Sequence, residues 1–208
     1  MTDLYLIRHG DSLMGEQDGK VVELGLSLEG IHQSELLRDR LARTGEIHAD
    51  VLIVSTAQRA QETAAIIAPA LNLPLPIILD PDFEEWRSDD GSLSEAEFNA
   101  RWAAVPKDQK PFFRWMAGYE NRLEFTLRVQ LAVNRVLQAH AGKTIVVVSH
   151  GAFIQVTFGF FFGYGEASLD RATAEIRRTS ITHWHQPEGD TRWILERSND
   201  YNHLTSAQ

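Results

Sequence analysis

Four side chains stand out for the chemistry they could do together. Arg8 and His9 adjoin near the amino terminus and are followed by Gly10; Arg59 stands shortly after Ser55; His150 is followed by Gly151. A guanidinium presents a planar fork of N–H donors that matches phosphate geometry better than a lysine does. A neutral imidazole is a good nucleophile near pH 7 if its second nitrogen is held as a donor. Two of each would suit the capture and transfer of an anionic group, provided the fold brings residues 8, 9, 59 and 150 to one place.

The hydropathy pattern predicts that it does. Leu4–Ile7 reads as a buried central strand that ends on Arg8 and His9. Val51–Ser55 is a second buried strand, and the helix expected over Gln58–Leu71 carries Arg59 in its first turn and Ala60, Ala64, Ile67 and Leu71 on one stripe. Thr144–Ser149 is the clearest buried strand; it runs into His150-Gly151, after which another helix is expected. In an open α/β sheet the carboxyl ends of the strands form the ligand crevice, and helix amino termini there add N–H donors for phosphate. Around this core the pattern predicts a helix over Ser27–Arg43, with Ile31, Leu37 and Leu41 along one side and Gly45 as a stop. It predicts a third strand at Leu75–Leu79, a long helix over Leu123–Ala139, and strands at Ile176–His185 and Arg192–Arg197. Strands separated by helices imply an α/β three-layer sandwich with a mostly parallel central sheet. Between Glu84 and Glu120 charges, Gly91 and two prolines alternate with Phe98, Trp102, Phe112, Phe113 and Trp115, and Ser94 and Glu97 have capping-box spacing. This stretch reads as a cap inserted into a single domain spanning 1–208.

Composition excludes several classes. A net charge of −9 argues against a nucleic-acid partner, which needs a basic face, so an anionic ligand must be held by a local positive cluster. The chain has no cysteine. Its first ten residues lack a signal-peptide pattern, and the apolar run Ala152–Tyr164, broken by Gln155 and Thr157, is too short for a bilayer, so no membrane partner and a cytoplasmic location are expected. His183 and His185 form an H-x-H on an expected strand, but no carboxylate or cysteine partner is identifiable by spacing, so neither metal nor cofactor is expected. His203 reads as structural.

Five segments together resemble the histidine phosphatase superfamily, whose fold is phosphoglycerate-mutase-like. Arg8-His9-Gly10 with Asp11 and Ser12 resembles its signature. Leu26–Gln33 (LSLEGIHQ) is similar to the L-[ST]-x-x-G-x-x-Q segment, Ser55–Ala64 to S-x-x-x-R-A-x-x-T-A, Val146–Ile154 to the second-histidine motif, and Ser198–Leu204 to the usual ending. The resemblance implies a phosphatase that transfers phosphoryl to His9, with Arg8, Arg59 and His150 holding phosphate oxygens and Ser12, Gly10 and Gly151 as lesser contacts. It also implies a carboxyl group after the third strand that protonates the leaving alkoxide and then activates water. Glu85 fits that place, with Glu84 as runner-up.

The chain departs from the pattern at Gly15, where many relatives have an asparagine, and at Gly118-Tyr119-Glu120-Asn121, which keeps only part of a GES segment. The F-T-G-W stretch of the cofactor-dependent mutases is absent between Gly15 and Leu26, which favours phosphatase over mutase. A catalytically weak scaffold for phospho-ligands is a third reading, opposed by the retention of both histidines and a candidate acid. Sugar phosphates, nucleotide-derived phosphates, a cobalamin-pathway phosphate and phosphoproteins all fit such a site. The motifs fix neither the phosphoester nor the oligomeric state.

Overall fold

The computed structural model describes residues 1–71, 77–164 and 172–205. Its centre is a six-stranded sheet built from β1 (Thr2–Arg8), β4 (Val51–Val54), β5 (Ile78–Leu79), β6 (Thr144–Ser149), β7 (Ile181–Gln186) and β8 (Ile194–Asp200), in the order β5-β4-β6-β1-β7-β8. The β5-β4-β6-β1 half is parallel, whereas β7 runs antiparallel to β1 and β8 antiparallel to β7. β1 and β6 are apolar on both faces because both faces are covered. Leu4, Leu6 and Trp184 pack against Phe125, Val129 and Val133 of α4 (Arg122–Ala139) and Phe153 and Ile154 of α5 (Gly151–Phe162). On the other face Tyr5, Ile7 and Ile181 meet Leu37 and Leu41 of α1 (Leu28–Thr44) and Ala60, Ala64 and Ile67 of α2 (Gln58–Ile67). This is the three-layer α/β sandwich with a mostly parallel sheet. No helix among the described residues is long and apolar enough to cross a membrane.

The local signals act as expected at both ends of α1. Ser27 accepts from the Gly30 N–H as N-cap, and Gly45 takes the left-handed conformation (φ 60°) that closes the helix. Ile31 does not join the buried stripe; it is 39% exposed, while Leu37 and Leu41 are buried. The second helix is shorter than its apolar pattern, ending at Ile67 and tightening into a 3-10 turn over Ala68–Leu71. β5 covers only Ile78–Leu79 of the strand expected from Leu75, whose first two residues lie outside the described residues. In the 84–120 stretch, Ser94 and Glu97 close the capping box of α3 (Glu95–Ala104).

One element was not anticipated. Ser12–Gln17 and Lys20–Leu26 pair as an antiparallel hairpin, β2 and β3, closed by Asp18 and Gly19, both at positive φ (52° and 73°). Two such residues make a type I′ turn, whose twist suits a two-residue hairpin.

Gly30, within LSLEGIHQ, sits under the loop after β1. A Cβ there would lie 1.9 Å from the Asp11 carbonyl oxygen, a backbone atom that cannot swing aside. Gly30→Ala is therefore expected to destabilise the protein by about 3 kcal/mol, as overpacking does. Thermal unfolding should show a Tm lower by roughly 6–12 °C, as a domain of this size implies.

Candidate active site

The carboxyl ends of the adjacent parallel strands β1, β6 and β4 deliver the candidate residues side by side. β1 ends on Arg8 and continues to His9, β6 continues to His150, and Ser55 follows β4. The His9 and His150 rings are 5.0 Å apart, centre to centre. Arg59, from the first turn of α2, lies between them: its Nε donates to His9 Nε2 at 3.1 Å and its Nη2 reaches His150 Nδ1 at 3.0 Å. Arg8 lies against the start of α5, so close that a Cβ on Gly151 would be 3.3 Å from its Cζ, and its Nη1 donates to the Ile176 carbonyl.

These contacts fix both tautomers. His9 Nδ1 is 2.6 Å from the Gly10 carbonyl oxygen, an acceptor, so Nδ1 carries the proton and Nε2 carries the lone pair. Burial, with Arg59, Arg178 and Arg8 nearby, drives the His9 pKa down to about 2, so the ring is neutral at physiological pH. His150 Nδ1 faces a guanidinium that can only donate, so it accepts, and Nε2–H donates to Ser55 Oγ at 2.7 Å. Burial first, then Arg59 and His9, holds the His150 pKa well below its ordinary value. With no proton on the nitrogen beside Arg59, this His150 is an acceptor toward the crevice; it becomes a donor there only by taking up a proton.

Arg178 is a site residue that sequence reasoning missed. Its Nη1 lies 3.2 Å from His9 Nε2, and its Nε is 3.8 Å from Asp11 Oδ1. The carboxyl-terminal motif aims it. Asn199 accepts from the Arg177 N–H, and His203 Nε2 donates to Thr179 Oγ1 at 2.9 Å, bracing a turn in which Thr179 has a positive φ of 54°. Burial lowers the His203 pKa to about 4, so that ring is a neutral structural donor. Tandem arginines ahead of a strand have no distinctive spacing, so nothing in the sequence singled out Arg178. Burial lowers Arg8 to about 10 and also lowers Arg178, leaving Arg8 cationic at neutral pH.

The other motifs brace this cluster. Ser27 donates to Asp11 Oδ2 and Gln33 accepts from the Asp11 N–H, so LSLEGIHQ holds the loop that follows His9. Glu23, on the hairpin, takes the Arg59 N–H at 2.7 Å and its Nη1 at 3.1 Å, a second partner that sequence reasoning missed. Gly10 needs correcting: its N–H donates to Thr63 Oγ1 and its carbonyl is used by His9, so its backbone has no N–H to offer a phosphate. It is glycine because a Cβ would meet the Gly30 carbonyl oxygen at 2.5 Å. Gly151 opens α5, at whose amino terminus Ala152 N donates to Glu85 Oε2. Ser12 stands at the start of the hairpin opposite Leu26, and Gly15 lies within it opposite Val22.

The two adjacent glutamates have different surroundings. Burial alone would raise Glu84, but hydrogen bonds from Thr56 and Arg87 outweigh it and hold its carboxyl below the usual range. Glu85 faces the amino terminus of α5 and lies within electrostatic reach of Arg8 and Arg178. Arg128 of α4 fixes this loop by donating to the carbonyls of Asp82, Glu84 and Glu85. Beyond Ala152 opens a cavity of about 210 Å³, walled by Trp86, Phe98, Trp102, Trp115 and Phe125, with Arg122 and Gln155 at its polar side. Its walls are interlocked: Phe98 stacks on Trp115 at 4.2 Å and Trp86 on Phe125 at 5.8 Å.

A family model described as histidine phosphatase superfamily (branch 1) matches residues 4–200. The chain belongs to this superfamily. Among curated relatives, a probable phosphoglycerate mutase GpmB from Photorhabdus laumondii is 28% identical, with 98% of this chain and 95% of the relative covered. Bacillus stearothermophilus YhfR has the same fold, with a TM-score of 0.75 at 23% identity, covering 98% and 100% of the two chains. So does an Entamoeba histolytica phosphoserine phosphatase mutant in complex with phosphoserine, at 0.73 and 19%, covering 98% and 100%. A putative alpha-ribazole-5'-P phosphatase from Escherichia coli scores 0.73 at 20%, covering 97% and 98%.

Proposed function

We propose that this protein hydrolyses a small phosphomonoester through a phosphohistidine on His9. The observation that carries the reading is the polarity of that ring: Nδ1 is tied to the Gly10 carbonyl, and the Nε2 lone pair points at the Arg59 and Arg178 guanidiniums. A phosphoryl group arriving there draws these donors from the nitrogen lone pair onto its own oxygens, which frees the lone pair to attack; charge positioned beforehand in this way is the main source of catalysis in phosphoryl transfer. His9 Nε2 attacks phosphorus as the ester P–O bond breaks, and Glu85 gives its proton to the departing oxygen. The positive charge on the phosphorylated ring is met by the Gly10 carbonyl at Nδ1. Water then attacks phosphorus, its proton returns to Glu85, the P–N bond breaks, and inorganic phosphate leaves a neutral His9.

The cavity beyond Ala152 is where the leaving group lies in this reading, with the 84–120 segment acting as a cap over it. Aromatic walls suit a substrate whose alcohol portion carries an apolar or planar group. Purified protein assayed on a phosphoester panel at about pH 5–7 tests the reading, with 3-phosphoglycerate included both with and without bisphosphate. Phosphate release without priming is the expected result.

The alternative is a mutase, favoured by the name given to the curated relatives. Isomerisation of phosphoglycerate after bisphosphate priming, without net phosphate release, would decide for it.

Anion binding should also move a proton. His150 is neutral because burial and Arg59 depress its pKa; a bound dianion favours the imidazolium and raises that pKa. Sulfate binding at about pH 6 is therefore accompanied by proton uptake, and sulfate affinity rises as pH falls. Calorimetry in two buffers of different ionisation enthalpy measures the uptake, which His150→Gln should remove.

A further inference from the structure

We propose that Asp3, His183 and His185 form a binding site for one divalent transition-metal ion, best matched by Zn(II), at the end of the sheet remote from the catalytic crevice. The H-x-H spacing on β7 places both imidazoles on one face of the sheet, since side chains alternate along a strand. Asp3, at the start of β1, is the direct cross-strand partner of His185, and Tyr5 is that of His183. The carboxylate that spacing along the sequence could not reveal is thus supplied by the neighbouring strand, from the other end of the chain.

Three donors converge there. Asp3 Oδ1 lies 2.7 Å from His183 Nε2 and 2.9 Å from His185 Nδ1, and the three ligand atoms lie within 4.8 Å of one another. A carboxylate accepting two imidazole N–H groups would give these contacts without a metal. The same geometry is also close to three corners of a coordination tetrahedron. Zn–N and Zn–O bonds of about 2.0–2.2 Å place such corners roughly 3.3–3.6 Å apart, about 0.4–0.9 Å wider than the two contacts, so the carboxylate and the rings must draw apart slightly as the ion enters. Metal entry requires each ring to carry its proton on the nitrogen facing away, a tautomer change with no net proton loss.

The frame is stiff where coordination needs it. His183 stacks on Tyr5 at 4.0 Å and 11°, and the Asp3 N–H is bonded to the Lys143 carbonyl. The three side chains keep 12–20% of their surface accessible, so an ion can reach them from solvent. Nearby Arg197 is held by Glu46 and Asp200, so its charge is offset. A nitrogen-rich N₂O set favours zinc and its neighbours over calcium or magnesium. Asp3 is five residues from Arg8 along β1, roughly 17 Å at strand rise, so the ion would join β1 to β7 without reaching His9.

The test uses the full chain, stripped with EDTA and then titrated with Zn(II), and in parallel with Co(II), whose visible bands report coordination number. One zinc per chain, a raised Tm and a four- or five-coordinate Co(II) spectrum are expected. Asp3→Asn and His185→Gln should each weaken zinc binding by about 100-fold, whereas His150→Gln should not; His185 is a partly exposed strand residue, which makes its variant the safer one for folding. No stoichiometric zinc binding by the wild type would overturn the proposal. So would binding that survives Asp3→Asn and His185→Gln but is lost in His150→Gln. Hydrolysis of p-nitrophenyl phosphate should be the same with and without zinc and in both strand variants, so the metal site and the phosphatase reading fail or stand separately.

Discussion

Replacing His9 by alanine is expected to lower p-nitrophenyl phosphate hydrolysis by about 10⁴–10⁶-fold, the upper end being the scale seen when a serine nucleophile is removed. The loss should fall on kcat, because the guanidiniums that attract the phosphate remain. Arg59 keeps its ion pair with Glu23, and Arg178 stays on the turn braced by Asn199 and His203. His9 is buried but belongs to neither hydrophobic core cluster, so the variant should stay folded and bind inorganic phosphate. Steady-state kinetics combined with phosphate titration check this: a variant that keeps most of its turnover would remove His9 from the mechanism.

Glu85→Gln separates the two halves of the reaction. With an alkyl phosphate, whose leaving oxygen needs a proton, kcat should fall by about 10²–10⁴-fold, the usual worth of general acid catalysis. With p-nitrophenyl phosphate, a good leaving group, the first step should survive while water activation fails. Stopped-flow should then show a burst of about one equivalent of nitrophenolate followed by slow turnover. Glu84→Gln should instead turn over like the wild type, without a burst, because both Glu84 oxygens are committed to Thr56 and Arg87. The converse result, a burst in Glu84→Gln and none in Glu85→Gln, would exchange their roles.

The parts of the fold legible in the sequence are those where burial dictates residue type. β1, β4 and β6 read as apolar runs because helices cover both faces, and Ser27 and Gly45 mark α1 because its ends need those caps. The hairpin was missed although Asp18-Gly19 is a strong turn signal, since its strands are largely exposed and carry no clean alternation. At the site, Arg8, His9, Arg59 and His150 are recognisable because each follows a strand or opens a helix at the same edge of the sheet. Arg178 and Glu23 are not, because only tertiary structure aims them: one through a turn held by residues near the carboxyl terminus, the other through the hairpin. Gly10 was legible as necessary but not for its reason, which is close approach to Gly30 and a carbonyl that orients His9. Asp3 was hidden for a simpler cause: strand pairing joins it to residues near the opposite end of the chain.

Where the phosphoryl group goes during turnover decides whether His9 is the nucleophile. Rapid quenching of the enzyme with labelled substrate, followed by peptide mapping under conditions that preserve acid-labile phosphoramidates, measures that directly. A single label on His9, attached at Nε2 and accumulating in Glu85→Gln, is the predicted result. Label on any other residue, or full turnover with no phosphoenzyme in either protein, would contradict it.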